Sequence, residues 1–274
     1  MIKRCYPNGK RKAFNVTYDD GVLQDVRLVQ LLNSYGIKGT FNLNSGLMEQ
    51  EFEWVHPNGM TVKRLSREAV TGLYDGHEIA SHSLTHPYMS SLSRQEVLHE
   101  MSRDKENLER LFGREVWGFA LPFRYYSDMI AQCARETGFR YARISEFKND
   151  YHPWQDRYYW KCGFYHIEPG LWEYVEGFLQ THEELALCQI IGHSYDLDAE
   201  DLWDVTEKIF ASVSGCKDIW FATNHQIVDY LMAMSRLQIT NGGAVNHSDA
   251  DLWLEVDGKT ICLHPGESVK EENV

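Results

Sequence analysis

No stretch of this chain approaches the roughly 20 consecutive apolar residues that a membrane-crossing helix requires, and no run of lysine or arginine suggests a groove that tracks phosphates. The 27 basic residues face 40 acidic ones, a formal net charge of -13. A surface of that sign repels phosphate backbones and anionic lipid, so nucleic acid and membranes are not expected partners. Cysteine is scattered, at Cys5, Cys133, Cys162, Cys188, Cys216 and Cys262, without a C-x-x-C pair. That spacing argues against a disulfide framework and for reduced thiols. Met1 to Lys12 carries charge with no apolar core behind it, so no secretion signal is read and a cytoplasmic protein is expected. Low-complexity linkers and repeats of solenoid or propeller period are also missing. At 274 residues, one main domain is the expectation.

What the chain does contain is a succession of short apolar runs rich in β-branched and aromatic residues, each followed by a helix-like stretch. This alternation predicts parallel βα units in an α/β fold. Strands are expected near Ala13 to Tyr18, Gly39 to Asn44, Glu78 to Ser81, Val116 to Leu121, Tyr141 to Ile144, Gly163 to Glu168, Ala186 to Gly192 and Asp218 to Thr223. Helical spacing covers Leu23 to Tyr35, Ser93 to Phe112, Ser127 to Thr137, Tyr174 to Glu184, Ala199 to Val213 and His225 to Ser235. Ser93 with Glu96 forms a capping-box start. Glu49 to Leu65 is a longer, Trp-containing excursion, expected to wall one side of a cleft. From Leu237 the pattern changes to alternation, and the Asp257-Gly258 pair predicts a β-hairpin. The expected organisation is a barrel over residues 1–236, a β-hairpin extension over 237–267 and a frayed tail over 268–274.

Two short motifs carry the chemistry. Thr17, Tyr18, Asp19, Asp20, Gly21 closes the first strand, and Ser81, His82, Ser83, Leu84, Thr85, His86, Pro87 follows the third. One carboxylate at a strand end and two imidazoles four residues apart give three ligands for a divalent metal. The second carboxylate is then left over for proton transfer. Asp-Asp-Gly alone suits any tight turn, and His-x-x-x-His alone suits an exposed helix face. Each gains weight from directly following an apolar strand, because barrel active sites are built on the loops at the strands' carboxyl ends. The same position brings in His193, after the run Cys188 to Gly192.

The pair T-Y-D-D-G and S-H-S-L-T-H-P resembles the first two motifs of the NodB-type polysaccharide deacetylases, carbohydrate esterase family 4, whose usual forms are T-F-D-D-G and H-(S/T)-x-x-H-P. The resemblance in order and spacing runs through residues 10 to 230. It implies a distorted (β/α) barrel of seven or eight strands. It also implies that Asp20, His82 and His86 bind the metal, zinc or a similar divalent ion such as cobalt or nickel, while Asp19 is the general base. His193 resembles the late strand-end histidine and would protonate the leaving group. Gly192 and Ser194 depart from the residues usual on either side of it. The third motif departs further: where most members read R-P-P-Y-G, alignment of Phe119 to Arg124 puts Ala120 in the place of the arginine that orients the base. Arg143, at a strand end, or Arg124 is expected to substitute. Phe123 matches the position whose backbone N–H helps hold the oxyanion.

Trp154, Tyr158, Tyr159, Trp160 and Trp172 lie on expected late loops, where aromatic faces either stack on sugar rings or pack the core. Trp154 is taken as a substrate contact. His225 is expected to cap a helix, and the remaining histidines, His166 and His264 among them, are read as structural or surface residues. The expected activity is metal-dependent removal of an acetyl or other acyl group from an N- or O-acylated carbohydrate. Without a secretion signal, a soluble oligosaccharide or another small acylated molecule is expected rather than cell wall. Two alternatives stand beside it: hydrolysis of a non-carbohydrate C–N bond on the same fold, and a catalytically silent carbohydrate-binding protein. Association into a homo-oligomer is left open by the sequence.

Overall fold

A computed structural model describes residues 2–48, 53–154, 156–240 and 242–270. Its centre is the strand Lys12–Asp19, buried in all but its first residue. Phe14, Val16 and Tyr18 join the apolar layer shared with the surrounding helices. Between them in the chain, Asn15, Thr17 and Asp19 belong to the other face, as the two-residue period of a strand requires. There Asn42 Nδ2 donates to Thr17 Oγ1 (2.9 Å), and Gln189 Nε2 donates to Asn15 (3.0 Å) and Asn224 (2.9 Å). The barrel interior is therefore polar and cross-bonded, while the apolar core lies between strands and helices.

Ala186–His193 runs parallel to the central strand along its full length, placing His193 beside Asp19. On the other side Gly39–Leu43 pairs with the C-terminal half of the central strand and Ile219–Phe221 with its start. Glu78–Ser81, Gly118–Ala120, Tyr141–Phe147 and Trp160–Cys162 then follow in order, all parallel. The two ends of this nine-stranded sheet are brought together at Gly163. Before it, Trp160–Cys162 pairs with Tyr141–Phe147; after it, Phe164–Tyr165 pairs with Ala186–His193. A Cβ on residue 163 would lie 2.0 Å from the Gln189 carbonyl oxygen, so only glycine lets the chain cross there. The expected (β/α) barrel is the observed architecture.

Helices Asp25–Ser34, Arg94–Phe112, Asp128–Glu136, Leu171–Gln180, Trp203–Ser214 and Asn224–Met234 cover the sheet. Ser93 and Glu96 form the capping box read from the sequence. The helix expected over Tyr174 to Glu184 instead starts at Leu171, because Gly170 adopts a left-handed conformation (φ 96°) that opens the helix three residues earlier. No helix among the described residues is long and apolar enough to cross a membrane.

The extension is larger than a single hairpin. Leu252–Val256 and Lys259–Leu263 pair across the Asp257-Gly258 turn, and Ile2–Cys5 adds to the same sheet from the other end of the chain. A second small sheet joins Leu237–Thr240, Gly243–Asn246 and Ser268–Lys270. Two boundaries therefore shift. The first residues belong with the extension, and Ser268–Lys270, expected as frayed, is held by ladder pairing to Gly243–Val245. Residues 271–274 lie outside the described residues.

Candidate metal centre and cleft

Asp19 ends the central strand, and Asp20 follows it with φ at 82°, a left-handed turn that aims consecutive carboxylates differently. Donor atoms of Asp20, His82 and His86 all lie within 4.8 Å of one another. The His82 Nδ1 donates to the Ala120 carbonyl at 2.8 Å, which fixes the tautomer and leaves the Nε2 lone pair free for a cation. Burial holds the His82 ring neutral, with a pKa lowered to about 4, and His86 is lowered for the same first reason. A neutral imidazole is the form that ligates. The donor set therefore fits a divalent ion.

The loop bearing both histidines is tied to the long helix behind it. Glu100 accepts from the Thr85 backbone N–H and hydroxyl, each at 2.8 Å, and Asp104 accepts from Ser81 Oγ (2.6 Å) and the Ser45 N–H (2.7 Å). Ser83 and His86 have positive φ (66° and 55°), a strain the surrounding bonds hold in place.

Asp19 accepts from Asn42 Nδ2 at 2.7 Å and is ion-paired with the Arg143 guanidinium. Burial opposes its ionisation, but Arg143, followed by His82 and His193, outweighs that and lowers its pKa. Arg143 is the register partner of Ala120 on the neighbouring strand. A guanidinium thus reaches Asp19 from one strand further along than the family pattern would place it. Arg124, the other expected substitute, is exposed on the cleft rim.

Asp20 is held by Arg64, whose Nη2 lies 2.9 Å from Oδ1 and whose Nη1 also contacts Asn44 at 2.9 Å. Burial again opposes ionisation, and Arg64 with the three imidazoles keeps this carboxyl well below the usual range. Arg64 follows the hairpin Glu53–Val55 and Thr61–Lys63, part of the excursion expected to wall the cleft. Residues 49–52 of that excursion lie outside the described residues. Trp54 on the hairpin meets Tyr195 edge-on, with ring centroids 5.4 Å apart.

His193 directs Nε2 towards Asp20 (3.9 Å to Oδ2), and its Nδ1 lies 3.2 Å from Asp196 and 3.0 Å from the Tyr165 hydroxyl. Burial alone would favour the neutral ring. The Asp196 bond and the charges of Asp20, Asp196 and Asp19 overcome it and raise the pKa to about 9. Asp196 also takes His166 Nε2 at 3.2 Å, and Tyr18 meets the far nitrogen of His166 at 3.2 Å. The departure at Gly192 now has a cause. A Cβ there would fall 2.1 Å from His166 Nε2, so the buried imidazole occupies the space that a side chain would need.

These groups form the floor of a cavity of about 630 Å³. Its walls are aromatic: Tyr88 stacks on Phe123 (3.8 Å), Phe147 stacks on Tyr165 (5.2 Å), and Trp54, Tyr125 and Tyr195 complete them. Phe123 has φ at 59° and also packs edge-on against His86. Trp154 is not part of this cleft. It packs on buried Trp160 at 4.7 Å, in a cluster with Leu185 and Leu187 under the barrel, and the expectation of a substrate contact is corrected. Tyr158 and Trp160 are likewise core residues, and Trp172 lies on an outer helix. His225 is not a cap either: Thr223 caps that helix, and His225 stacks on Trp117 at 5.5 Å. Arg64, Asp196, His166 and the cleft aromatics other than Phe123 carry no motif of their own, and the sequence alone does not single them out.

Residues 7–142 match the family model described as polysaccharide deacetylase. That region belongs to the polysaccharide deacetylase family. Among curated proteins the chain is similar to the uncharacterised YlxY of Bacillus subtilis, 27% identical over 49% of this chain and 38% of the relative. It is also similar to a peptidoglycan-N-acetylglucosamine deacetylase of Bacillus cereus, 26% identical over 49% of this chain and 56% of the relative. The matched segment thus spans little more than half of either relative at most. Among solved structures, a candidate polysaccharide deacetylase of Mycobacterium smegmatis aligns with a TM-score of 0.63 at 17% identity, covering 85% of this chain and 94% of the other. At that identity the likeness establishes the deacetylase fold over a wider span than the family match.

Proposed function

We propose that this chain is a metal-dependent hydrolase that removes an acetyl group from an N- or O-acylated carbohydrate. The observation that carries the reading is the convergence of Asp20, His82 and His86 between an ion-paired carboxylate, Asp19, and an imidazole, His193. When bound by those three residues, zinc, cobalt or nickel supplies Lewis acidity, lowering the pKa of a water and polarising an acyl carbonyl.

The protein's own groups then divide the proton transfers. Asp19 accepts the proton of the attacking water at a carboxylate oxygen. Arg143 and Asn42 keep it ionised and fix its direction. A carboxylate of depressed pKa is a weak base, matched to a water that is itself acidified. His193 gives its Nε2 proton to the leaving amine or alcohol, while Asp196 holds Nδ1 so that the other nitrogen faces the cleft. The Phe123 backbone N–H is assigned to the developing oxyanion. Every one of these groups comes from a single chain, so the site needs no second copy.

Aromatic walls suit the apolar faces of sugar rings. They would also accept a non-carbohydrate amide, which is the second reading this cleft supports. A cytoplasmic setting belongs to the same proposal and is supported by the unpaired thiols of Cys5, Cys133, Cys188, Cys216 and Cys262.

The test is acetate release from a panel of soluble N- and O-acetylated sugars by metal-stripped protein reloaded with zinc or cobalt. Release should require metal. Asp19→Asn should lower it by about 10³-fold or more while retaining metal, and His82→Ala should lose both. Stoichiometric metal without release from any sugar would transfer the reading to other amides. Sugar binding that Asp19→Asn leaves intact, with no turnover in wild type, would indicate a silent binding protein. Failure to take up metal would overturn the centre itself.

A further inference from the structure

A second group of metal-ligating side chains lies outside the cleft, on the small sheet that joins the two ends of the chain. Asp251, Cys262 and His264 bring a carboxylate oxygen, a thiol sulfur and an imidazole nitrogen within 4.8 Å of one another. Their convergence follows from the hairpin register. Leu252 pairs with Leu263 and Trp253 with Cys262, so Asp251 and His264 lie at the open end of the ladder. Cys262 lies on the strand Lys259–Leu263 and His264 directly follows its end, two residues on, which returns it to the same side. His264 Nδ1 and Asp251 Oδ1 are in contact at 2.8 Å, and Glu267 fixes the His264 backbone by accepting its N–H at 2.9 Å.

An Asp–His contact by itself is an ordinary surface pair. A thiol placed against both partners changes the chemistry, because sulfur, imidazole and carboxylate together form the donor set that selects zinc over magnesium or calcium. Cys262 is half-buried while Asp251 and His264 are exposed, so the donors are anchored on the sheet yet open to solvent. Three protein ligands leave a fourth position for water.

We infer that Asp251, Cys262 and His264 form a second, zinc-type metal site that clamps the open end of the Leu252–Val256 and Lys259–Leu263 hairpin. The strand Ile2–Cys5 pairs with that hairpin, so the ion would secure the N-terminal segment as well. Binding replaces the Cys262 S–H proton with the cation and releases it to solvent, while His264 ligates as the neutral ring through one nitrogen and keeps its hydrogen on the other. Affinity therefore rises with pH until the thiol is fully ionised.

Cobalt distinguishes this site from the cleft, because a thiolate ligand produces a charge-transfer absorption that Asp20, His82 and His86 have no sulfur to generate. Titration of the full-length, metal-stripped chain with cobalt should complete that absorption within two equivalents of metal in wild type, where the cleft also binds, and within one in His82→Ala. Cys262→Ser should abolish it, and His264→Ala should weaken cobalt binding by about 10-fold or more. Circular dichroism and thermal melting of the metal-free variants separate loss of a ligand from loss of the fold. A well-folded wild type that shows no charge-transfer band under excess cobalt overturns the proposal, and so does a band that survives Cys262→Ser. Neither result bears on acetate release, so the two metal sites stand or fall separately.

Discussion

Asp19 takes its guanidinium from Arg143, the register partner of Ala120 across a strand pairing. In this chain Ala120 is small and fully buried, and the Arg143 side chain is completely enclosed beside it. Removing one partner of a buried ion pair leaves the other charge uncompensated, at a cost of about 3–5 kcal/mol. Arg143→Ala should therefore raise the Asp19 pKa, move the acid limb of the pH–rate profile to higher pH, and lower turnover by about 10²-fold. Adding Ala120→Arg to that variant returns the cation from the opposite strand and should recover part of the loss. A double variant no more active than Arg143→Ala, but equally folded and metal-loaded, would mean that Asp19 needs more than a nearby charge. The sequence raised Arg143 because a missing arginine in one motif posed a question. Asp196, His166 and Arg64 answered no such question: each touches its partner through barrel geometry that no local spacing encodes. Gly192 was visible only as an irregularity, and the buried ring of His166 gives it a reason.

At the scale of elements, the His82 to His86 loop depends on a helix that contributes nothing to the cleft. Glu100 of Arg94–Phe112 accepts from the N–H and the hydroxyl of Thr85, the residue directly before His86. Glu100→Gln keeps one acceptor and replaces the other with a donor, so the hydroxyl bond must reverse and both bonds lose the help of the carboxylate charge, with no loss of bulk. Metal affinity measured by competition with a chelator should fall about 10-fold, the range found when partners that orient ligands are changed. Thermal stability should fall by no more than about 1–2 kcal/mol. Unchanged affinity would show that the loop holds its shape without the helix. The helix itself was plain in the sequence, from its capping box and apolar spacing, but its role as an anchor was not. The late aromatic segment, left open between sugar stacking and core packing with Trp154 alone taken as a substrate contact, resolves for a related reason. Tyr158, Trp160 and Trp154 have the composition of a sugar platform, but the crossing at Gly163 turns that segment under the barrel, and the cleft draws its aromatics from other loops.

Across the whole molecule the barrel's two ends hold carboxylates for opposite purposes. At the carboxyl ends of the strands, cations keep Asp19 and Asp20 charged. At the other end half-buried Glu78 begins its strand among neutral partners: it accepts from Thr40 Oγ1 (3.0 Å), Tyr141 (2.9 Å), the His225 N–H (2.8 Å) and the Thr223 side chain. Burial raises its pKa from 4.5 to about 7, against the pull of those bonds. A raised acid binds its proton more tightly in the folded state. Its contribution to stability is therefore complete below the unfolded value and is lost as pH rises through the folded one. Glu78→Gln reproduces the donor and acceptor of the protonated form and removes the titration. Wild type should therefore lose stability relative to Glu78→Gln between pH 4.5 and about 7, on the order of 2 kcal/mol. Paired thermal melts across that range provide the measurement. Hydrolysis by the variant should remain within about twofold of wild type, because barrel chemistry is confined to the opposite end. A stability difference that does not change with pH would mean that Glu78 stays charged throughout. A large loss of activity would mean that the two ends of the barrel are coupled through the polar chain of Asn224, Gln189 and Asn15 that runs between them.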